Sequence, residues 1–201
     1  MIALIGKIYA EADPLRNPFR SSDQIPLLRA KEAHGVRSGM NPPELYGIKL
    51  QLALQLLQAG HTEESYRQHE AVERFLAEHN QVPNARALTI LGTGKALCHL
   101  RAGEKANCLL NHNADSCLFP IRDGGVHQLP EGSRAAVAEL TALLTQFPGD
   151  LRARWLLNIA YMTLGEYPDK VPPRWLLDPK LFASDHDLKR FPDIAGSLGL
   201  A

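Results

Sequence analysis

Three segments of this chain are written in one frame, and that frame restricts the fold more than any other feature. Leu52-Ala-Leu-Gln-Leu-Leu-Gln-Ala-Gly60, Ala96-Leu-Cys-His-Leu-Arg-Ala-Gly103 and Leu157-Asn-Ile-Ala-Tyr-Met-Thr-Leu-Gly165 each carry a small or polar residue seven before a glycine and a large one four before it. A fixed face at helical spacing, closed by glycine, is the pattern of an amphipathic helix with a defined C-terminus. The sequence around these segments also reads as amphipathic helices, which leaves the stripes one another to bury against, so the chain is expected to be all-α.

The intervening sequence predicts the same architecture. Residues 1–11 suit a short helix ended by Asp13-Pro14, Leu15 to Pro26 reads as a strap, and Leu27 to His34 as a second short helix. From Pro43 the helices lengthen. Leu45, Ile48, Leu52, Leu56 and Ala59 form one stripe up to Gly60, and Thr62 to Asn80 follows with Tyr66, Val72, Phe75 and Leu76. A third helix, Ala85 to Ala102, is expected to stop at Gly103; Ser133 opens a fourth with Ala136, Leu140, Leu143 and Phe147, and Asp150 a fifth that stops at Gly165. The paired spacing resembles the tetratricopeptide repeat, whose period is about 34 residues, with Ser65 standing where alanine is usual. That resemblance implies stacked antiparallel helix hairpins in a right-handed solenoid. The expected organisation is residues 1–42 as an N-terminal strap with short helices, 43–166 as the repeat region interrupted by an inserted loop at 104–132, and 167–201 as an irregular extension. Cys98, Trp155 and Tyr161 fall on faces that predict core packing.

Charge removes whole function classes. The chain has 22 basic and 22 acidic residues, without the basic excess that nucleic acid or an anionic membrane surface selects. Its longest apolar stretch, beginning at Trp155, is far short of the ~20 residues that span a bilayer. The N-terminal apolar run lacks the basic flank and cleavage pattern of a signal peptide.

Helix packing does not explain the insert. Cys108, His112, Cys117 and His127 are spaced C-x3-H-x4-C-x9-H in a segment rich in Asn, Asp and Gly. One reading joins Cys108 and Cys117 as a disulfide closing a short loop, worth about 2–3 kcal/mol if unstrained. Another gathers Cys108, His112, Cys117 and His127 around zinc or a copper ion, with Asp115 and Asp123 behind the imidazoles, or uses them as ligands to another cofactor. A third makes Cys117 a nucleophile served by His112 or His127 with Asp123. The loop's polar residues Asn111, Asn113, Arg122 and Asp123 are candidates to touch a partner. Arg152, Arg154, Lys189 and Arg190 could meet acidic groups, but a solvated face is the simpler expectation for them.

The tract from Asn107 to Arg122, the Gly124-Gly-Val-His127 turn, Arg154 to Pro168, and Phe182 to Ala195 together resemble the N-terminal region of bacterial proteins with FG-GAP/VCBS propeller repeats and an ASPIC/UnbV segment. In that family a helical-repeat region precedes a calcium-binding β-propeller, and many members are exported. The resemblance therefore implies a periplasmic or extracellular protein, puts the disulfide ahead of the metal, and supplies a β-propeller or another protein as partner. The chain holds no Asp-x-Asp-x-Asp-Gly calcium loop and is expected to be the helical module alone. Its expected role is an interaction scaffold rather than an enzyme.

Overall fold

The structure, a computed structural model, describes residues 1–17, 19–113, 115–183, 192 and 194–199. These form α1 (Ile2–Glu11), α2 (Ser21–Ser38), α3 (Pro42–Gln58), α4 (Thr62–Glu78), α5 (Ala85–Leu110), α6 (Glu131–Gln146) and α7 (Leu151–Thr163), with short 3-10 turns between and after them. Among the described residues there is no strand, and no helix is long and apolar enough to cross a membrane. From α2 to α7 each helix packs on the next in chain order, and α5 also touches α7.

The start signals behave as their chemistry requires. Asn41, Asn84 and Asp150 each accept the N–H three residues on, at 3.0, 2.9 and 2.9 Å, and so open α3, α5 and α7. Gly60 and Gly165 close α3 and α7 in the left-handed region, φ +84° and +66°. The position seven before each framing glycine is fully buried in all three segments, as Ala53, Ala96 and Asn158.

Two expected boundaries move. The strap and short helix before residue 42 are replaced by the single helix α2, which runs through Pro26. A proline there costs about 3 kcal/mol. Ile25 and Leu28, on either side of it, are buried against Leu52 and Leu56 of α3, and at about 1.5–3 kcal/mol each they offset that cost. The third helix also continues past Gly103 to Leu110, so the insert begins at 111 rather than 104. Gly103 is a contact point instead of a stop. A Cβ added at Gly132, the glycine facing it at the start of α6, would lie 2.6 Å from the His99 carbonyl oxygen and 2.8 Å from the Gly103 Cα.

Ser65 also has an explanation. It is fully buried, its hydroxyl donates to the Ala53 carbonyl at 2.7 Å, and Cys98 donates to it at 3.3 Å, so one polar chain crosses α5, α4 and α3. Cys98 is buried as expected, and burial pushes its thiol pKa up.

Two buried asparagines fasten the irregular segments to the helices. Asn107 of α5 donates to the Gly103 carbonyl at 2.8 Å and to the Leu129 carbonyl at 2.9 Å, while its own oxygen accepts the Leu129 N–H at 2.9 Å. Asn158 of α7 repeats the arrangement, donating to Arg154 O at 2.8 Å and Trp175 O at 2.9 Å and accepting from Leu177 N at 3.0 Å. With Arg154 donating to Trp175 O and Leu176 O, the second clamp seats Trp175 in the α5–α6–α7 core. Trp155 does not join that core. It is 42% exposed and its ring lies 5.8 Å from those of Phe119 and Phe182.

Asn158→Ala would leave the Leu177 N–H and the Trp175 carbonyl without this partner in a dry site. We expect a loss of about 2–3 kcal/mol, read as a lower urea midpoint at unchanged m-value.

Candidate functional site

The residues that the sequence marks as chemical do not converge. Cys108 lies half-buried in the last turn of α5, Cys117 and His112 are exposed in the loop, and His127 is half-buried before α6. All three cysteines are free thiols. Among the described residues no three His, Cys, Asp or Glu side chains gather as a metal ion requires. Cys108 and His127 do line one small cavity with Glu104, Asn107 and Ser116, but its volume is about 20 Å³. That is room for roughly one water and for no substrate.

His127 is committed elsewhere. Thr163 Oγ1 donates to the Ala160 carbonyl at 2.9 Å, so at 2.8 Å it accepts from Ser133 Oγ, which accepts in turn from His127 Nδ1 at 3.1 Å. This chain fixes the Nδ1–H tautomer, and burial holds the imidazole below its ordinary pKa. The backbone N–H of His127 donates to Thr163 O at 2.8 Å, tying the loop's end to α7.

The loop's asparagines are likewise spent on its own shape. The Asn113 side chain donates to the Gly124 carbonyl at 2.7 Å and accepts the Asp115 N–H at 2.9 Å; Asn111 reaches Gly124 O at 3.5 Å. A Cβ at Gly125 would sit 2.5 Å from the Asp115 carbonyl oxygen, which is why a glycine is needed there. Arg122 and Asp123 face solvent and pair loosely with each other at 3.7 Å. Arg154 is consumed by the Trp175 and Leu176 carbonyls. Lys189 and Arg190 lie outside the described residues.

A different surface is open and shaped. A cavity of about 430 Å³ runs between α3 and α5, walled by Leu50, Leu54, Leu57, Ile90 and Leu97, with His69 of α4 at its floor. It continues into a second cavity of about 350 Å³ through Ile90, Thr93 and Arg152, where Arg86, Thr89 and the start of α7 form the wall. One end of this groove is apolar; the other carries the guanidiniums of Arg86 and Arg152 and the Asp150 carboxylate, which is engaged in capping α7. Among the described residues the side chains of Arg86 and Arg152 have no ion-pair or hydrogen-bond partner.

The floor depends on one glycine. His69 donates from Nδ1 to Ser65 O at 2.8 Å, and its Nε2 would stand 2.1 Å from a Cβ at Gly94. The ring is 3% exposed, and burial lowers its pKa, so it lies neutral beneath the groove. Sequence reasoning missed this surface, although a signal existed. Leu50, Leu54 and Leu97 are apolar residues off the main stripes of α3 and α5, more than one buried face requires.

No protein-family model matches this chain, and no curated protein or solved structure does either.

Two outcomes follow from this geometry. Gly94→Ala should destabilise by about 1–3 kcal/mol through overpacking, and combining it with His69→Ala should recover most of that loss, measured by denaturant unfolding as a double-mutant cycle. Protein purified without reductant should show three reactive thiols once unfolded. In the folded state Cys117 should label first, Cys108 next and Cys98 slowest, as resolved by mass spectrometry of timed iodoacetamide reactions.

Proposed function

We propose that this chain is a helical-repeat scaffold, a tetratricopeptide-like stack of antiparallel helix hairpins, that holds a segment of a partner protein in the groove formed by α3, α5 and the start of α7. The observation that carries this reading is the groove itself: leucines and an isoleucine on one stretch, two unpaired guanidiniums on the next. A segment with apolar side chains at helical spacing and an acidic group beyond them complements both halves. Apolar burial supplies the affinity, and the arginines fix the direction in which the segment lies.

The helices that wall the groove are the first members of successive hairpins, α3, α5 and α7. This is the surface a curved stack turns inward, and it supports a solenoid reading together with the packing of each helix on its chain neighbour. The resembled family's propeller is one partner of this kind. The loop at 111–130 keeps a lesser claim; its exposed residues, among them His112, Cys117, Leu118, Phe119, Arg122 and Asp123, form no cavity larger than about 20 Å³ among the described residues.

Selection of a random peptide-display library on the full-length protein tests the proposal. Enriched peptides should combine apolar residues at i, i+3 or i+4 with a nearby Asp, Glu or C-terminal carboxylate. Their affinity should fall about tenfold or more with Leu54→Asp and several-fold with Arg152→Glu. Peptides that bind both variants as well as they bind the parent, or that are lost on Arg122→Glu instead, would sink the groove as the binding surface.

A further inference from the structure

Helix α1 is held in place without being packed. None of its side chains is buried, yet its far end is gripped: Arg20 donates to the Tyr9 carbonyl at 2.7 Å and the Ala12 carbonyl at 3.0 Å, and its guanidinium stacks 3.8 Å from the Tyr9 ring. Asp23 completes the latch, accepting from Arg20 Nε and from the Tyr9 hydroxyl, both at 2.7 Å. A cation on the last carbonyls of a helix stabilises that end. The latch uses the side of α1 that carries Tyr9. Leu4 and Ile8 lie on another side, with Ile5 on the row between Ile8 and Tyr9, each at least 60% exposed, and Glu11 follows on the face of Leu4 and Ile8 at helical spacing.

We infer that α1 of one copy of this chain occupies the groove of a second copy, with Leu4 and Ile8 against the leucines of α3 and α5, Ile5 at the edge of that contact, and Glu11 turned to Arg86 and Arg152. The inference rests on the groove being a docking surface and names its resting occupant. Three matches carry it. The exposed stripe of α1 is aliphatic, as is the 430 Å³ part of the groove. An acidic side chain stands at the C-terminal end of that stripe, and two unpaired guanidiniums stand at one end of the groove. The ten residues of α1 extend about 15 Å, which is also the distance covered by α3 between Gly47 and Leu57, the ends of its lining. Glu11 is free to turn, because its contact with Lys7 is a 3.8 Å pair between two exposed side chains. Reciprocal seating, each copy giving α1 and receiving one, is the smallest closed assembly. An external segment would bind by displacing α1, so self-association and partner binding compete.

Sedimentation velocity of the full-length chain over about 1–300 µM is the test. A reversible dimer is expected, and its Kd should rise about tenfold or more with Leu4→Asp plus Ile8→Asp, and equally with Leu54→Asp. Neither set touches a buried side chain, and circular dichroism checks each fold. Mixing the α1 variant with the Leu54→Asp variant should give tighter association than either shows alone, because one intact helix then meets one intact groove. Glu11→Arg and Arg152→Glu should each weaken association about threefold, and the two together in one chain should recover it. A chain monomeric throughout, or a dimer indifferent to Leu54→Asp, overturns the inference. If display-selected peptides still bind the groove of such a chain, the self-docking falls alone; if they too ignore Leu54, both readings fall.

Discussion

The stack depends on burying side-chain amides where an aliphatic residue would be the cheaper choice. Asn107 and Asn158 each spend both ends of the amide on backbone: one donor on the carbonyl four residues back in their own helix, the remaining donor and the acceptor on a segment returning from outside. A buried amide left unpaired is costly, so the position tolerates Asn only when the returning segment is in register. Each clamp therefore reports on its own assembly. It converts an irregular stretch, which has no helix hydrogen bonds to offer, into a fixed part of the core, and Trp175 reaches the centre of the last three helices on that account.

The same economy appears where helices meet. Gly132 at the start of α6 crosses Gly103 in the middle of α5 with no room for a side chain, and Gly94 leaves space for His69. The Cys98–Ser65–Ala53 chain then stitches three helices with groups that would otherwise be unpaired in a dry interior. On the outer side Lys95 joins Glu73 of α4 to Glu139 of α6 at 3.0 and 3.4 Å. Close approach and local polar ties thus share the work that larger side chains do in a conventional core.

The helical class and most helix ends were legible in the sequence, because Asn41, Asn84, Asp150, Gly60 and Gly165 act through local chemistry. Gly103 misled for an instructive reason. It stands in the same frame as the two terminators, but Glu-Lys-Ala-Asn-Cys-Leu-Leu after it favours continuation, and only the facing Gly132 shows what the missing Cβ is for. Pro26 misled in the opposite direction, since burial of Ile25 and Leu28 outweighs the local penalty. The candidate site was the least legible part. Cys108, His112, Cys117 and His127 caught attention as residue types, while the groove is made of ordinary leucines and two arginines from helices far apart in sequence, and no local pattern brings those together.

The two clamps also divide the chain into parts that answer to different constraints. The segment between α5 and α6 is hydrogen-bonded at its edges, by Asn111 and Asn113 folding its start onto Gly124 and by Leu129 and His127 anchoring its end. At the tip Leu118 is exposed, and the half-exposed Phe119 rests its ring beside Trp155 of α7. Such a tip is the natural splice point of the molecule: its length and sequence can drift, or a foreign epitope can be grafted there, while the helices on either side keep their register.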